Sequence, residues 1–176
     1  VTAMATSVSE TLLARPATAS DVPAVTAIYN EGIADRVATF ETQPRTPEQV
    51  AGRITGRYPV VVVVNKVGQI VAWASTSSYR DRDCYSGIAE FSVYVGRVHR
   101  GQGAGRVALA ALLEIAETAG FWKLLSRIFV ENTPSRKLCS SLGFSEVGIY
   151  RRHAKLDDTW RDVVIVERLL GEAADA

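Results

Sequence analysis

The stretch Glu90-Phe91-Ser92-Val93-Tyr94-Val95, followed shortly by Arg100-Gly101-Gln102-Gly103-Ala104-Gly105-Arg106, decides how this chain is read. It predicts a strand, a glycine turn and the start of a helix. That arrangement suits an anion. Gly101, Gly103 and Gly105 leave the backbone bare, the turn aims N–H groups outward, and the helix dipole adds partial positive charge. Arg100 and Arg106 add fixed charges that suit a phosphate. Glu90, at the start of the same strand, is a candidate base.

Two common phosphate loops do not fit. A Walker loop needs Gly-Lys followed by Ser or Thr, and neither pair occurs in the chain. A dinucleotide fingerprint wants a third glycine where Arg106 stands, and an acidic residue about 20 positions on. Glu131 comes late for that role, and no further strand–helix–strand repeats follow it.

Working outward, the 176 residues are long enough for one domain with a substantial core. Apolar residues make up 47% and charged residues 22%, as expected of a globular chain. A net charge of +1 gives no general pull on nucleic acid or on an anionic membrane, so neither is an expected partner. Cys84 and Cys139 cannot make a disulfide framework, and His99 and His153 have no ligand spacing, so no metal is expected. Residues 1–10 lack a basic start and a sustained apolar stretch, so no signal peptide is read there. They are expected to be a disordered extension, with one domain over 11–176. The apolar block Tyr58–Val64 is too short to span a bilayer, and a cytoplasmic location is expected.

The elements expected are these. Leu12 to Pro16 is a first strand. Ser20 caps a helix running to about Ala34. Thr46-Pro47-Glu48-Gln49 opens a second helix with a capping box, which Gly56 ends. Val60–Val64 and Ile70–Tyr79 form a hairpin around Asn65-Lys66-Val67-Gly68. Apolar positions 107, 109, 112, 113 and 116 mark a helix over 103–119. A strand over 123–130, a short helix over 134–142 capped by Thr133, and two strands around Asp157-Asp158 complete the map. The class is α/β (α+β), with a mostly antiparallel twisted sheet of six to seven strands flanked by about four helices.

The pattern Arg100-x-x-Gly103-x-Gly105 at a helix start resembles the acetyl-CoA loop of the GCN5-related N-acetyltransferases (GNAT). Asn132, Ser135 and Leu142-Gly143-Phe144 fall where that family has its Asn…Leu-Gly-Phe segment. The resemblance covers about residues 12 to 170 and implies the GNAT fold. It implies that the Gly103 loop (Arg100, Gly101, Gln102, Gly103, Ala104, Gly105, Arg106) holds the CoA pyrophosphate. Val93, Tyr94 and Val95 would pair with the pantetheine arm, with Asn132 and Ser135 nearby. The family's sheet splays after this strand, and the acceptor amine meets the thioester in the gap. Acetyl-CoA is then the co-substrate, no metal is needed, and a homodimer is implied.

The chemistry asks for a base, an oxyanion donor and a way for the thiolate to leave. Glu90 is the candidate base, acting directly or through water. The alternative reading is a strand glutamate held in a structural ion pair. A backbone N–H near Val93 to Val95 would serve the oxyanion. Many relatives carry Tyr on the short helix as acid for the thiolate, where this chain has Cys139. A thiol is a weak donor, so Cys139 is read as a packing residue and the thiolate leaves unprotonated or takes its proton from water.

Tyr79-Arg80-Asp81-Arg82, the Glu90 strand and Trp160-x-Asp162-Val163 look like the phosphinothricin and methionine sulfoximine acetyltransferases. Tyr150 to Val163 is similar to their arsinothricin N-acetyltransferase relatives. The resemblance implies acetylation of the α-amine of a glutamate-analogue amino acid, giving resistance to such antibiotics. Arg80 and Arg82, if the strand continues that far, lie on one face and suit its oxyanions; the other reading is a charged exposed loop. Phe40, Tyr79, Tyr94 and Trp160 are expected to line the acceptor pocket, Trp160 across a dimer. His153 either contacts substrate or caps the hairpin. Competing functions are acetylation of a polyamine, another amino acid or a protein N-terminus, and non-catalytic acetyl-CoA binding.

Overall fold

A computed structural model describes residues 11–176; the extension expected over 1–10 lies outside them. The strands are β1 (Leu13–Pro16), β2 (Val60–Val64), β3 (Ile70–Ser78), β4 (Ile88–Val95), β5 (Lys123–Phe129), β6 (Ser145–Leu156) and β7 (Thr159–Leu169). The helices are α1 (Val22–Asp35), α2 (Pro47–Ile54), α3 (Ala104–Thr118), α4 (Thr133–Ser141) and the closing turn α5 (Glu172–Asp175). The strands form one open seven-stranded sheet in the order β1-β2-β3-β4-β5-β7-β6. Only the central pair β4–β5 is parallel. This is the expected mostly antiparallel sheet flanked by helices.

The alternation of strand side chains divides the core between the two faces of the sheet. In β2, Val61 and Val63 join the α3 side, while Val60 and Val62 join the α1–α2 side. The α3 side holds Leu109, Leu112 and Leu113 of the helix against Ala89 and Phe91 of β4. The α1–α2 side packs Val25, Ile28, Tyr29 and Ile33 against Trp73 of β3 and Tyr94 of β4. So Glu90 and Ser92, in step with Tyr94, belong to the α1–α2 face.

Three expected helix starts and ends move. α1 begins at Val22 and not under a Ser20 cap, because a 3-10 turn over Ala19–Asp21 comes first. Thr18 and Asp21 close that turn, with Thr18 N donating to Asp21 Oδ2 at 2.7 Å. Thr46 and Gln49 form the expected capping box of α2, but the helix stops at Ile54, where Thr55 turns extended, and not at Gly56. α4 is capped by Asn132, whose Oδ1 accepts from Ser135 N at 3.3 Å, and not by Thr133.

The β6–β7 hairpin turns through Asp157 and Asp158, both with positive φ, as a two-residue turn of this hand requires. Asp157 accepts from Arg36 Nε at 2.8 Å, which ties the hairpin to the end of α1. The segment after α1 then crosses toward β5, where Phe40 meets Phe129 edge-on at 4.8 Å. Phe129, Leu156 and Val163 form a small cluster beneath it. This segment, with Phe40, therefore lies at the open end of the β4–β5 pair.

Candidate active site

β4 and β5 pair in register only over Ile88–Glu90 and Lys123–Leu125. β4 continues to Val95 and β5 to Phe129, so the two strands diverge into a wedge. Its walls are Phe91 to Tyr94 and Ser126 to Phe129, with Asn132, Ser135, Leu138, Cys139 and Ala38 closing it, around a cavity of about 80 Å³. Diverging strand edges leave main-chain N–H and C=O groups for an extended ligand arm to pair with, as an added strand would.

At the wide end of the wedge stands the glycine loop. Gly101 (φ +75) and Gly103 (φ +90) take the left-handed conformation that glycine tolerates. α3 starts directly after, and its helical bond back to the loop runs from Val107 N to Gly103 O at 3.1 Å. The N–H groups of Ala104, Gly105 and Arg106 are therefore left for an anion at the positive end of a fifteen-residue helix. A Cβ on Gly105 would lie 3.3 Å from Val95 and 3.4 Å from Leu138. The glycine thus lets the helix start press against both walls of the wedge. A long cofactor with a phosphate head and an extended arm fits this cradle.

The side chains of the loop are braced from within. Arg100 pairs with Asp35 of α1 at 2.7 Å and donates to Val95 O at 3.2 Å. Arg97 pairs with the same carboxylate at 2.6 Å. These two arginines, Arg97 foremost, hold the Asp35 carboxyl below its usual range. Arg106 donates to Ser141 Oγ at 2.6 Å, and Gln102 to Val98 O at 3.2 Å. Asn132 uses its amide to cap α4 and to donate to Val37 O at 3.1 Å. It and Ser135 border the wedge as structural members of it.

At the narrow end, Glu90 is the last residue of β4 paired with β5. Its Oε2 accepts from Arg127 Nη2 at 2.5 Å, with the two side chains 24% and 41% exposed. Arg127 was not among the residues singled out in the sequence. Its meeting with Glu90 depends on the β4–β5 register, which no local pattern encodes. Cys139 faces the wedge from α4 and is 3% exposed. Burial, with a smaller push from Glu146, raises its thiol to about 12, so it stays protonated and packs beside Phe91 and Phe144.

The expected acceptor residues are dispersed. β3 ends at Ser78, so Arg80 and Arg82 lie in the loop beyond it and do not share a strand face. Each is exposed, Arg80 over the ring of Tyr79 at 5.3 Å and Arg82 over Tyr85 at 5.7 Å. Tyr79 and Tyr85 meet edge-on at 5.6 Å and brace this loop. Tyr94 borders the wedge, but its ring packs in the α1–α2 core, stacked on Trp73 at 5.1 Å, and burial drives its phenol upward from the usual range. Phe40 and His153 approach to 6.5 Å beside the far wall of the wedge. Trp160 stands 54% exposed on β7 under Lys155, away from the wedge within this chain.

Among the described residues no helix is long and apolar enough to cross a membrane, and no three His, Cys, Asp or Glu side chains cluster as metal ligands. The profile of the acetyltransferase (GNAT) domain matches residues 11–145. The chain is 32% identical over 157 residues to the phosphinothricin N-acetyltransferase of Streptomyces viridochromogenes, covering 88% of this chain and 85% of that protein. It is 29% identical over 160 residues to the L-methionine sulfoximine/L-methionine sulfone acetyltransferase of Pseudomonas aeruginosa, covering 87% and 91%. A solved structure of a GNAT superfamily phosphinothricin acetyltransferase from Sinorhizobium meliloti, in complex with acetyl-CoA, superposes with a TM-score of 0.87 at 31% identity, over 96% of this chain and 92% of that one. A parallel strand pair that parts beside a glycine-walled helix start, in a chain of this likeness, belongs to the GNAT acetyltransferases, enzymes that N-acetylate with acetyl-CoA as co-substrate.

Proposed function

We propose that this enzyme acetylates the α-amino group of a glutamate-analogue amino acid, phosphinothricin, arsinothricin or methionine sulfoximine, and so confers resistance to such compounds in the cytoplasm. The observation that carries this reading is the position of Glu90. It stands where the paired strands part, on the sheet face opposite α3, with one carboxylate oxygen engaged by Arg127. Acetyl-CoA supplies an acyl thioester. The acceptor amine attacks its carbonyl carbon, the C–N bond forms, the C–S bond breaks, and the amine proton passes to Glu90 directly or through water. Main-chain N–H groups at Val93 to Val95 receive the charge that grows on the carbonyl oxygen. The thiolate leaves free or protonated by water.

Arg80 and Arg82, in the exposed loop after β3, are the arginines for the acceptor's α-carboxylate, with Tyr79 beneath Arg80. Phe40 and His153 form the wall beside the wedge. Val147, Ile149, Tyr150 and Trp160 are all exposed on the β6–β7 side. That exposure supports a homodimer through this edge, with Trp160 reaching the partner's site; a light-scattering mass of one chain would remove it.

The test is CoA release from acetyl-CoA with phosphinothricin, methionine sulfoximine, arsinothricin, glutamate and spermidine, each alone. Turnover limited to the glutamate analogues is the expected result. Turnover with spermidine only, or with none of them despite acetyl-CoA binding, overturns the reading.

A further inference from the structure

On the α1–α2 side of the sheet lies a second cleft, of about 300 Å³, bordered by Arg53, Thr55, Ser75, Ser77 and Ser92. That is the lower end of the size of small-molecule sites, which run from about 300 to 1,000 Å³. Its floor is the β3–β4 pair. Ser75 lies opposite Ser92 and Ser77 opposite Glu90. Side chains directly opposite in an antiparallel pair share a face. Three serine hydroxyls and the Glu90 carboxylate therefore share one face of the β3–β4 pair. Thr76, the next residue along, gives its hydroxyl to Pro59 O at 2.9 Å. The hydroxyls of Ser75, Ser77 and Ser92 make no side-chain hydrogen bond among the described residues; Ser75 is buried, Ser92 half-buried and Ser77 exposed at the rim. They are therefore free to bond water or the oxygens of a ligand seated in the cleft.

Arg53 supplies the charge. It stands in the last turn of α2. Its guanidinium lies 5.0 Å from the centre of the Tyr29 ring, with Nη2 3.5 Å from Tyr29 Oη. The ring supports the flat group and leaves its other donors open. Arg53 pairs with no carboxylate among the described residues, whereas Arg127, Arg100 and Arg36 all do. The two clefts meet on β4, because Ser92 borders both. An acceptor in the second cleft thus reaches the wedge past Ser92, with Glu90 two residues away on the same face.

We infer that Arg53 and the Ser75–Ser77–Ser92 patch form a specificity subsite for the second, side-chain anion of the acceptor amino acid. A carboxylate or tetrahedral oxyanion carries the acceptors that an arginine and several hydroxyls complement, and its lone pairs take both kinds of donor. The subsite selects dianionic amino acids over neutral or cationic amines. This rests on the proposed reading that the acceptor is a glutamate-analogue amino acid whose amine gives its proton to Glu90 on the α1–α2 face.

The test separates binding from turnover. Phosphinothricin and the neutral methionine sulfone are titrated calorimetrically into the wild type, R53Q and R53K, with melting temperature as a check on folding. R53Q is expected to weaken phosphinothricin at least tenfold, about 1.4 kcal/mol, while methionine sulfone changes less than twofold and R53K recovers part of the loss. S75A/S77A is expected to act in the same direction. Wild-type binding of phosphinothricin without turnover would sink the proposed acetylation and keep the subsite. Absence of wild-type binding, unchanged affinity in R53Q, or equal losses for both ligands would overturn the subsite.

Discussion

Arg127 engages Oε2 of Glu90 and leaves the second oxygen to an amine or a water. The pair is half-exposed, so it is worth little as a stabilising contact; its effect is to fix where the carboxylate points. E90Q keeps the shape and removes the basicity. A general base contributes roughly 10²–10⁴-fold, and the loss in kcat is expected to be largest at low pH, where deprotonating the amine is hardest. If Glu90 were only half of a structural pair, E90Q would lower the melting temperature and scale kcat equally across pH. A pH–rate profile parallel to the wild type therefore removes Glu90 as the base. Cys139 is a simpler case. Its thiol is held near 12 by burial, so it has no charge to lend at any pH where the enzyme works.

The element that matters most is the β4–loop–α3 unit, and Asp35 at the end of α1 holds it. One carboxylate takes both Arg97 and Arg100, while Glu31 Oε2 accepts from Arg97 N at 2.7 Å. D35N removes the charge from a side chain only 19% exposed and loosens both arginines, at little cost to global stability because the arginines themselves are largely in water. The expected outcome is a several-fold rise in KM for acetyl-CoA with KM for the acceptor unchanged, read from steady-state kinetics. A fall in KM would mean that Asp35 restrains Arg100 from the phosphates and would reverse this account. The unit itself was legible in the sequence, because alternation in β4, two glycines with positive φ and a 3.6-residue repeat in α3 are all local signals. The α4 cap was misread by one residue, since Asn132 and Thr133 are both good capping residues and only the Val37 contact favours Asn132. Arg127 and Arg53 were invisible for a different reason. Each acquires its role from sheet register or helix packing across dozens of residues, and neither stands in a motif.

At the scale of the molecule, the sheet separates two half-sites. α3 and α4 stand on the side of the glycine loop, and α1 and α2 on the side of Glu90 and Ser92, with Arg53 on α2 itself. The two sides meet where β4 opens from β5 beyond Glu90. The second face depends on α1 staying docked on the sheet, and Asp21 is its anchor. Asp21 is 4% exposed, takes a bidentate contact from Arg15 of β1 at 2.7 and 2.9 Å, and accepts from Thr18 N. The Arg15 contact, helped by Thr18, pulls its carboxyl down to about 2 from an ordinary 3.8. A depressed carboxylate contributes stability that is complete above its unfolded value and is lost as pH falls through the folded one. The shift corresponds to about 2 kcal/mol at most, reduced because Arg15 is partly in water. D21N keeps the hydrogen bond from Thr18 and removes the charge. Urea unfolding is therefore expected to show D21N less stable than the wild type by about 1–2 kcal/mol at pH 7, with the gap closing as pH is lowered toward 2. A gap that persists undiminished at pH 2.5 would show that the loss comes from packing at the 3-10 turn and not from the Arg15–Asp21 pair.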